Sequence, residues 1–174
     1  RVEVDSVKRD KLLQALRASD RVKASVKEKT DDELLDHYQL AQGITLTNLG
    51  VLCLGRQYHR AQLTTAPVIQ FIKYDERGQK VNKLVWDDHT LNPMELIEAV
   101  WREVPDFRER YELPDGLYRQ YIPAFDEVVI RELLVNALVH RPYTQRGDIF
   151  LNLHTDRLEV INTGPLPLGV TPQN

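Results

Sequence analysis

The sequence has few of the residues that stabilise small secreted domains or that cross membranes. It contains one cysteine, Cys53, among 174 residues. A single thiol can form no intrachain disulfide and cannot build a thiolate zinc centre, so both are excluded. No apolar run approaches the roughly 20 residues that span a bilayer, and no signal peptide is recognisable. These absences predict a cytoplasmic protein with no membrane partner.

A large excess of one charge sign is also missing. The chain has 23 Lys and Arg residues against 26 Asp and Glu residues, a net charge of −3. The chain as a whole therefore lacks the positive charge that a nucleic-acid-binding surface needs. Residues 1–29 differ, because their basic residues outnumber the acidic ones by four. That stretch is typical of a solvated helical face, and direct contact with DNA is the alternative.

The first third of the chain is predicted to be helical. Ser6 is expected to cap a helix that ends near Ala18, and residues 20–29 are predicted as a linker. Thr30 and Glu33 fit a capping box for a second helix, which Gly43 is expected to end. Thr47-Asn-Leu-Gly-Val-Leu-Cys-Leu-Gly55 is predicted as a short, buried helix.

The remainder alternates between strand and helix patterns. Residues 66–74 alternate in polarity and predict a strand, and residues 147–154 with 158–161 predict a hairpin. Helices are predicted after Asn92 and after Asp126. The predicted fold class is α/β (α+β), with a mixed or antiparallel sheet and helices packed on one of its faces.

The most informative segment is the predicted helix from Glu127 to His140. Apolar residues surround it almost completely, so it is expected to be buried. Glu132, Asn136 and His140 interrupt this surface at spacings of four, which places them on one side of the helix. A buried carboxylate is costly unless it is paired or liganded, so a polar group is expected to meet this stripe.

Two interpretations of the stripe remain open at this point. In the structural one, Glu132 pairs with a neighbouring arginine and Asn136 bonds to the backbone. In the functional one, the stripe lines a nucleotide pocket, where Asn136 offers its amide oxygen to Mg²⁺ and Glu132 orients or deprotonates water.

The wider sequence around this helix carries a family resemblance. Glu132-x-x-x-Asn136 resembles the helix motif of the GHKL ATPases, which include gyrase, histidine kinases and mismatch-repair proteins. The run from Arg131 to Tyr143, followed by Asp156-Arg-Leu-Glu-Val-Ile-Asn-Thr-Gly-Pro-Leu-Pro167, is similar to the HATPase-like domain of RecG-related transcriptional regulators. Leu46-Thr-Asn-Leu-Gly-Val-Leu-Cys-Leu-Gly55 resembles the segment before that domain, so the resemblance covers about residues 30–174.

The resemblance implies roles for matching residues. Glu132 would be the general base, Asn136 the magnesium ligand, and His140 a further residue of the nucleotide site. Asn162-Thr163-Gly164 falls where GHKL proteins place an Asp-x-Gly that binds the adenine amino group. The implied cofactors are ATP and magnesium.

The sequence departs from the family pattern in three ways. The adenine-binding aspartate is Asn162, which keeps an acceptor oxygen and loses the charge. Pro142 stands where the family commonly has aspartate. The chain stops before the second glycine-rich segment and the lid, so by itself it is expected to bind ATP poorly or not at all. No P-loop is present, so the family name does not indicate a helicase motor.

The resemblance also implies a domain order. Residues 1–41 are expected to be a helical linker after an AlbA-type DNA-binding domain outside this chain, residues 42–115 an α/β middle segment, and residues 116–174 the first part of the HATPase-like domain. The expected function is an ATP-binding module of a DNA-associated regulator that changes domain contacts or a homodimer, with slow hydrolysis or none. The alternative is a degenerate dimerisation or interaction module without nucleotide.

Overall fold

The computed structural model of the chain describes residues 3–115 and 118–164, and the chain forms two compact units. Unit 1 comprises residues 1–66 and 88–94, and unit 2 comprises residues 67–87 and 95–174. The chain therefore passes between the units after residues 66, 87 and 94. Each unit is thus assembled from two separate stretches of chain, and the three-segment domain order stays a prediction of the family resemblance.

Unit 1 is mainly helical. Its elements are α1 (Ser6–Ala18), α2 (Ala24–Lys27), α3 (Asp31–His37), β1 (Ala41–Gln42), β2 (Thr45–Leu46), α4 (Asn48–Leu54) and α5 (Gln57–Gln62). Its apolar core contains residues of α1, α3, α4 and β1, with Leu34 and Leu54 fully buried. The unit is held together by this core, since the helices are too short to be stable alone.

In unit 1 the predicted capping box is confirmed, while two predicted helix ends and one predicted linker are corrected. The Thr30–Glu33 capping box forms, with Thr30 N donating to the Glu33 carboxylate at 2.8 Å. The cap of α1 is Asp5 rather than Ser6, because the Asp5 carboxylate accepts from Lys8 N at 3.1 Å. The predicted linker at residues 20–29 contains α2. Gly43 does not end α3, which stops at His37; it lies at φ 58° between β1 and β2.

Unit 2 is built on a four-stranded mixed sheet. The elements are β3 (Ile69–Tyr74), β4 (Lys80–Trp86), α6 (Pro93–Glu103, whose first two residues belong to unit 1), a 3-10 helix (Pro105–Arg108), β5 (Arg110–Asp115), β6 (Tyr118–Pro123), α7 (Glu127–His140), β7 (Ile149–Leu153) and β8 (Leu158–Ile161). The sheet order is β4-β3-β7-β8, in which β3 and β7 are parallel and the other pairs antiparallel. The predicted α/β fold class is confirmed.

The turn between β3 and β4 shows how local chemistry sets this topology. The Asp75 carboxylate accepts hydrogen bonds from Arg77 N and Gln79 N at 2.9 and 2.8 Å, and Gly78 adopts φ 72°. On its other edge β3 pairs in parallel with β7, which puts Ile69 and Phe71 beside Ile149 and Leu151, and all four side chains are buried. Among the strands that the structure describes, β5 and β6 pair with each other and form a separate two-stranded ribbon.

Candidate functional site

Helix α7 begins and ends where its sequence predicts. The Asp126 carboxylate accepts from Val128 N at 2.7 Å and Val129 N at 3.4 Å, which satisfies two donors at the start of the helix. After His140 the chain becomes extended at Arg141, whose buried guanidinium donates to Gly147 O at 2.8 Å. The loop after α7 is therefore fixed by an internal hydrogen bond.

The exposed side of α7 corrects the prediction that the whole helix is buried. Only Ile130, Leu134, Ala137 and Leu138 are buried. Glu132, Asn136 and His140 are exposed, and they share the outer surface with apolar residues such as Val128 (69% exposed) and Val139 (67% exposed). Apolar residues lie on both sides of α7. One side is buried against the rest of the fold, and the other is exposed.

Unit 2 does not contain the contacts that the structural interpretation of the stripe predicts, within the described residues. Within residues 3–115 and 118–164, the side chains of Glu132 and Asn136 form no hydrogen bond or ion pair. The arginine of this helix, Arg131, instead pairs with Glu98 of α6, at 2.9 Å for one bond, and with Glu127 at 2.8 Å. Glu98 is the main cause of the raised pKa of Arg131, and this pairing in turn lowers the pKa of Glu98.

The end of β8 lies against the C-terminal half of α7. Asn162 Nδ2 donates to Ala137 O at 2.8 Å, so the amide is anchored beside Asn136. Its Oδ1 atom is buried and has no hydrogen-bond partner in the part of the chain that the structure describes; the same holds for Thr163 Oγ1. A buried acceptor without a partner is costly, which makes Asn162 Oδ1 a position where a ligand N–H group would be stabilising.

Gly164 is required by its backbone and by its neighbour. It adopts φ 133°, and a Cβ atom there would lie 2.9 Å from Pro142 Cγ. This contact joins the end of β8 to the loop two residues after His140. The predicted residues Asn136, His140, Asn162 and Gly164 thus belong to two segments that touch, while Glu132 lies one turn earlier on α7.

A second polar centre was missed by the sequence analysis. A cavity of about 340 Å³ lies where β3 and β7 end, lined by Lys73, Tyr74, Asp106, His154 and Arg157 among others. Asp106 is buried and forms an ion pair with Lys73, and the rings of Tyr74 and His154 stack at 4.9 Å. The paired residues are 33 positions apart, so no local pattern could have connected them.

Two findings limit the kinds of site that the described residues form. Across residues 3–115 and 118–164, no group of three or more His, Cys, Asp or Glu side chains is placed to hold a metal ion. Over the same ranges, no helix has the length and apolar character needed to cross a bilayer.

Comparison with solved structures gives the class of fold. The structure is similar to the crystal structure of the DIP2311 protein from Corynebacterium diphtheriae, a structural genomics target, with a TM-score of 0.65 and 19% sequence identity. The alignment covers 99% of this chain and 35% of that protein, so the chain spans about a third of its neighbour's length. At this identity the similarity shows the fold alone.

Comparison with known sequences adds nothing to this assignment. No family model matches the chain, and no curated protein matches it.

Proposed function

We propose that unit 2 is part of a GHKL-type nucleotide-binding module in a DNA-associated transcriptional regulator related to the RecG-like family. The unpaired, buried Oδ1 atom of Asn162 carries the proposal. An adenine amino group is a donor of the kind this acceptor lacks. Gly164 supports the site through its backbone, because its φ of 133° is a conformation that favours glycine.

The outward stripe on α7 supplies the remaining groups. Asn136 offers an amide oxygen, the ligand type that magnesium prefers, and Glu132 offers a carboxylate that can take a proton from water. Both side chains are exposed and have no partner within the described ranges, so neither has to break an internal bond to bind. The bound magnesium would neutralise phosphate charge, as it does in other nucleotide sites.

In this proposal, Asn162 binds the base of the nucleotide. Asn162 is fixed through its Nδ2 atom to Ala137 O, so its acceptor is held in place before a ligand arrives. We propose that the phosphate groups are bound by residues other than these. We therefore assign nucleotide binding to the natural protein that contains this chain, with DNA contacted through another domain.

Thermal melting of that natural protein, with and without Mg-ATP, tests the proposal. A ligand that binds only the folded state stabilises it by about 2.7 kcal/mol at 100 times Kd, so the melting temperature should rise. Asn136→Ala should abolish the rise. Gln14→Ala, which removes an exposed amide from α1, should leave it unchanged. An equal rise in the Asn136→Ala protein would overturn the proposed role of Asn136.

A non-enzymatic interaction module is the second candidate. It is favoured by the exposed apolar residues on α7, which are suited to protein contacts. A stable dimer that forms without nucleotide, together with no melting shift at millimolar Mg-ATP, would select this function over the first.

A further inference from the structure

A second cleft in unit 2 lies at the base of the β5–β6 ribbon. It has a volume of about 490 Å³, which is within the usual range for small-molecule pockets. Its apolar walls include Trp101 of α6, Phe107 of the 3-10 helix and Phe125 of the loop before α7. We refer to it as the aromatic cleft. It contains none of the residues assigned to the nucleotide site.

The walls of the aromatic cleft are held in place by packing. Phe107 is fully buried and meets Phe71 of β3 with ring centroids 5.6 Å apart. It also stacks on Trp101 at 6.3 Å and meets Phe125 edge-on at 5.4 Å. Rigid aromatic walls lose little entropy when a flat ligand packs on them.

The cleft carries two arginines without ion-pair partners. Neither Arg108 nor Arg110 forms a hydrogen bond or ion pair through its guanidinium in the ranges 3–115 and 118–164. Two acids also line the cleft, but both are already engaged. Asp126 accepts from the first N–H groups of α7, and Glu127 pairs with Arg131 at 2.7 Å. Glu127 is offset by Arg131, so the two arginines face one remaining negative charge, that of Asp126, and the balance at the cleft is positive.

We propose that the aromatic cleft binds a small carboxylate that carries an aromatic or other flat apolar group. The apolar body packs against the accessible parts of Trp101 and Phe125, which Phe107 supports from beneath, and the carboxylate accepts hydrogen bonds from Arg108 and Arg110. A planar guanidinium matches a carboxylate in geometry and stacks readily on aromatic surfaces, which lysine does not do as well.

The competing explanation is that both arginines are ordinary solvated side chains beside a surface depression. In that case a neutral ligand of the same shape would bind as well as an anionic one. Phenylacetate and phenylacetamide form such a pair, because they share the ring and differ in the charge of the end group. With about ten non-hydrogen atoms, phenylacetate should bind in the millimolar range.

The tryptophans provide a direct readout. The sequence has two, and each gives one indole N–H signal in a ¹⁵N-resolved NMR spectrum. Trp101 lines the cleft, whereas Trp86 is buried and donates to the Glu103 carboxylate at 2.8 Å. Titration with phenylacetate should shift the Trp101 signal and leave the Trp86 signal in place. An unmoved Trp101 signal at saturating probe would overturn the proposal.

Charge variants test the role of the arginines. Replacement of both Arg108 and Arg110 by Gln should weaken phenylacetate binding about tenfold, because two ion pairs are lost and each is weakened by the solvent exposure of its arginine. Arg119→Gln, on the same ribbon outside the cleft, should leave the affinity unchanged. Asp126→Asn keeps a helix-capping side chain while it removes a negative charge, so it should strengthen binding about two- to threefold.

Two results would contradict the assignment. Equal affinity for phenylacetamide and phenylacetate would mean that the arginines do not recognise the ligand's charge. Unchanged affinity in the double arginine variant, with a well-dispersed spectrum that shows intact folding, would place the anion elsewhere. Neither result would bear on ATP binding, which depends on Asn136 and is measured separately.

Discussion

At the scale of single residues, the ion pair between Lys73 and Asp106 in unit 2 joins a partly exposed lysine to a buried carboxylate. The Asp106 side chain is 8% exposed, so its carboxylate is almost fully removed from water. Lys73 is 38% exposed and donates to it from the end of β3. Removal of the lysine would leave a buried carboxylate without its main partner, which is the costly way to disrupt such a pair.

Lys73→Met is therefore expected to lower the free energy of unfolding. The full cost of breaking a buried pair is reduced here by solvent screening of Lys73, so we expect about 1–2 kcal/mol in urea denaturation. Lys83→Met is the matched control, because Lys83 is opposite Ile72 on β4 and is exposed. Equal stability of the two variants would show that Asp106 does not need the lysine.

The pH dependence of this difference has a defined sign. The hydrogen bond to Asp106 raises the pKa of Lys73 above that of a free lysine. The stabilisation is then fully present below about pH 10.4 and is lost as the pH rises through the folded-state pKa. The gap in unfolding free energy between the wild type and Lys73→Met should stay constant from neutral pH to about pH 10 and shrink above it.

Residues of the candidate site differ in how far the sequence could predict them. Asn162 and Gly164 were identified through the resemblance, and the structure adds that Asn162 Oδ1 is buried and unpaired. The Lys73–Asp106 pair gave no sequence signal, because partners far apart in the chain are joined only by the tertiary fold. The exposure of Glu132 could not be predicted either, since it depends on what covers α7.

At the scale of elements, the β5–β6 ribbon has an unusual surface. Its register places Tyr111, Leu113, Tyr118 and Ile122 on one face, and all four are exposed. The other face carries the Arg119–Glu112 ion pair, at 2.7 Å. A two-stranded ribbon that buries so little is marginally stable by itself.

Hydrogen exchange should separate this ribbon from the main sheet. Backbone amides within the β5–β6 ladder are expected to exchange at least about a hundredfold faster than those of Phe71 and Leu151, which lie in buried central strands. The measurement is amide exchange followed by NMR, with β3 and β7 as internal controls. Comparable protection in the ribbon would mean that another molecule or segment covers it in solution.

The sequence predicts best those elements that have local signals. Side-chain caps at Thr30, Thr47 and Asp126 predicted three helix starts, and the turn after β7 predicted a hairpin. The sequence did not predict α5, which has no side-chain cap, or the short α2. The parallel pairing of β3 with β7 was also not predicted, because no local sequence pattern specifies which distant strand will pair with a given one.

At the scale of the whole molecule, unit 2 depends on a strand from the middle of the chain. Strand β3 lies between β4 and β7, so it is bonded on both sides. Its side chains Ile69 and Phe71 are fully buried. Loss of β3 would remove a central strand and leave β7–β8 as an isolated hairpin, which does not persist in water.

Two fragments test this dependence. A chain that starts at Pro67 and ends at Asn174 retains every described strand of the sheet and should unfold cooperatively in urea. A chain that starts at Asp88 lacks β3 and β4 and should show no cooperative transition. Dispersed amide spectra from the shorter fragment would refute the central role of β3.

The parallel pairing also has a consequence for synthesis on the ribosome. Ile69 pairs with Ile149, so eighty residues must be translated between the arrival of one partner and the other. At about 5–20 residues per second, this interval is roughly 4–16 s. During that time one edge of β3, with an apolar residue such as Phe71, has no strand beside it. Strand β3 of the nascent chain is therefore an unpaired apolar segment, of the kind that chaperones bind, for several seconds before β7 can pair with it.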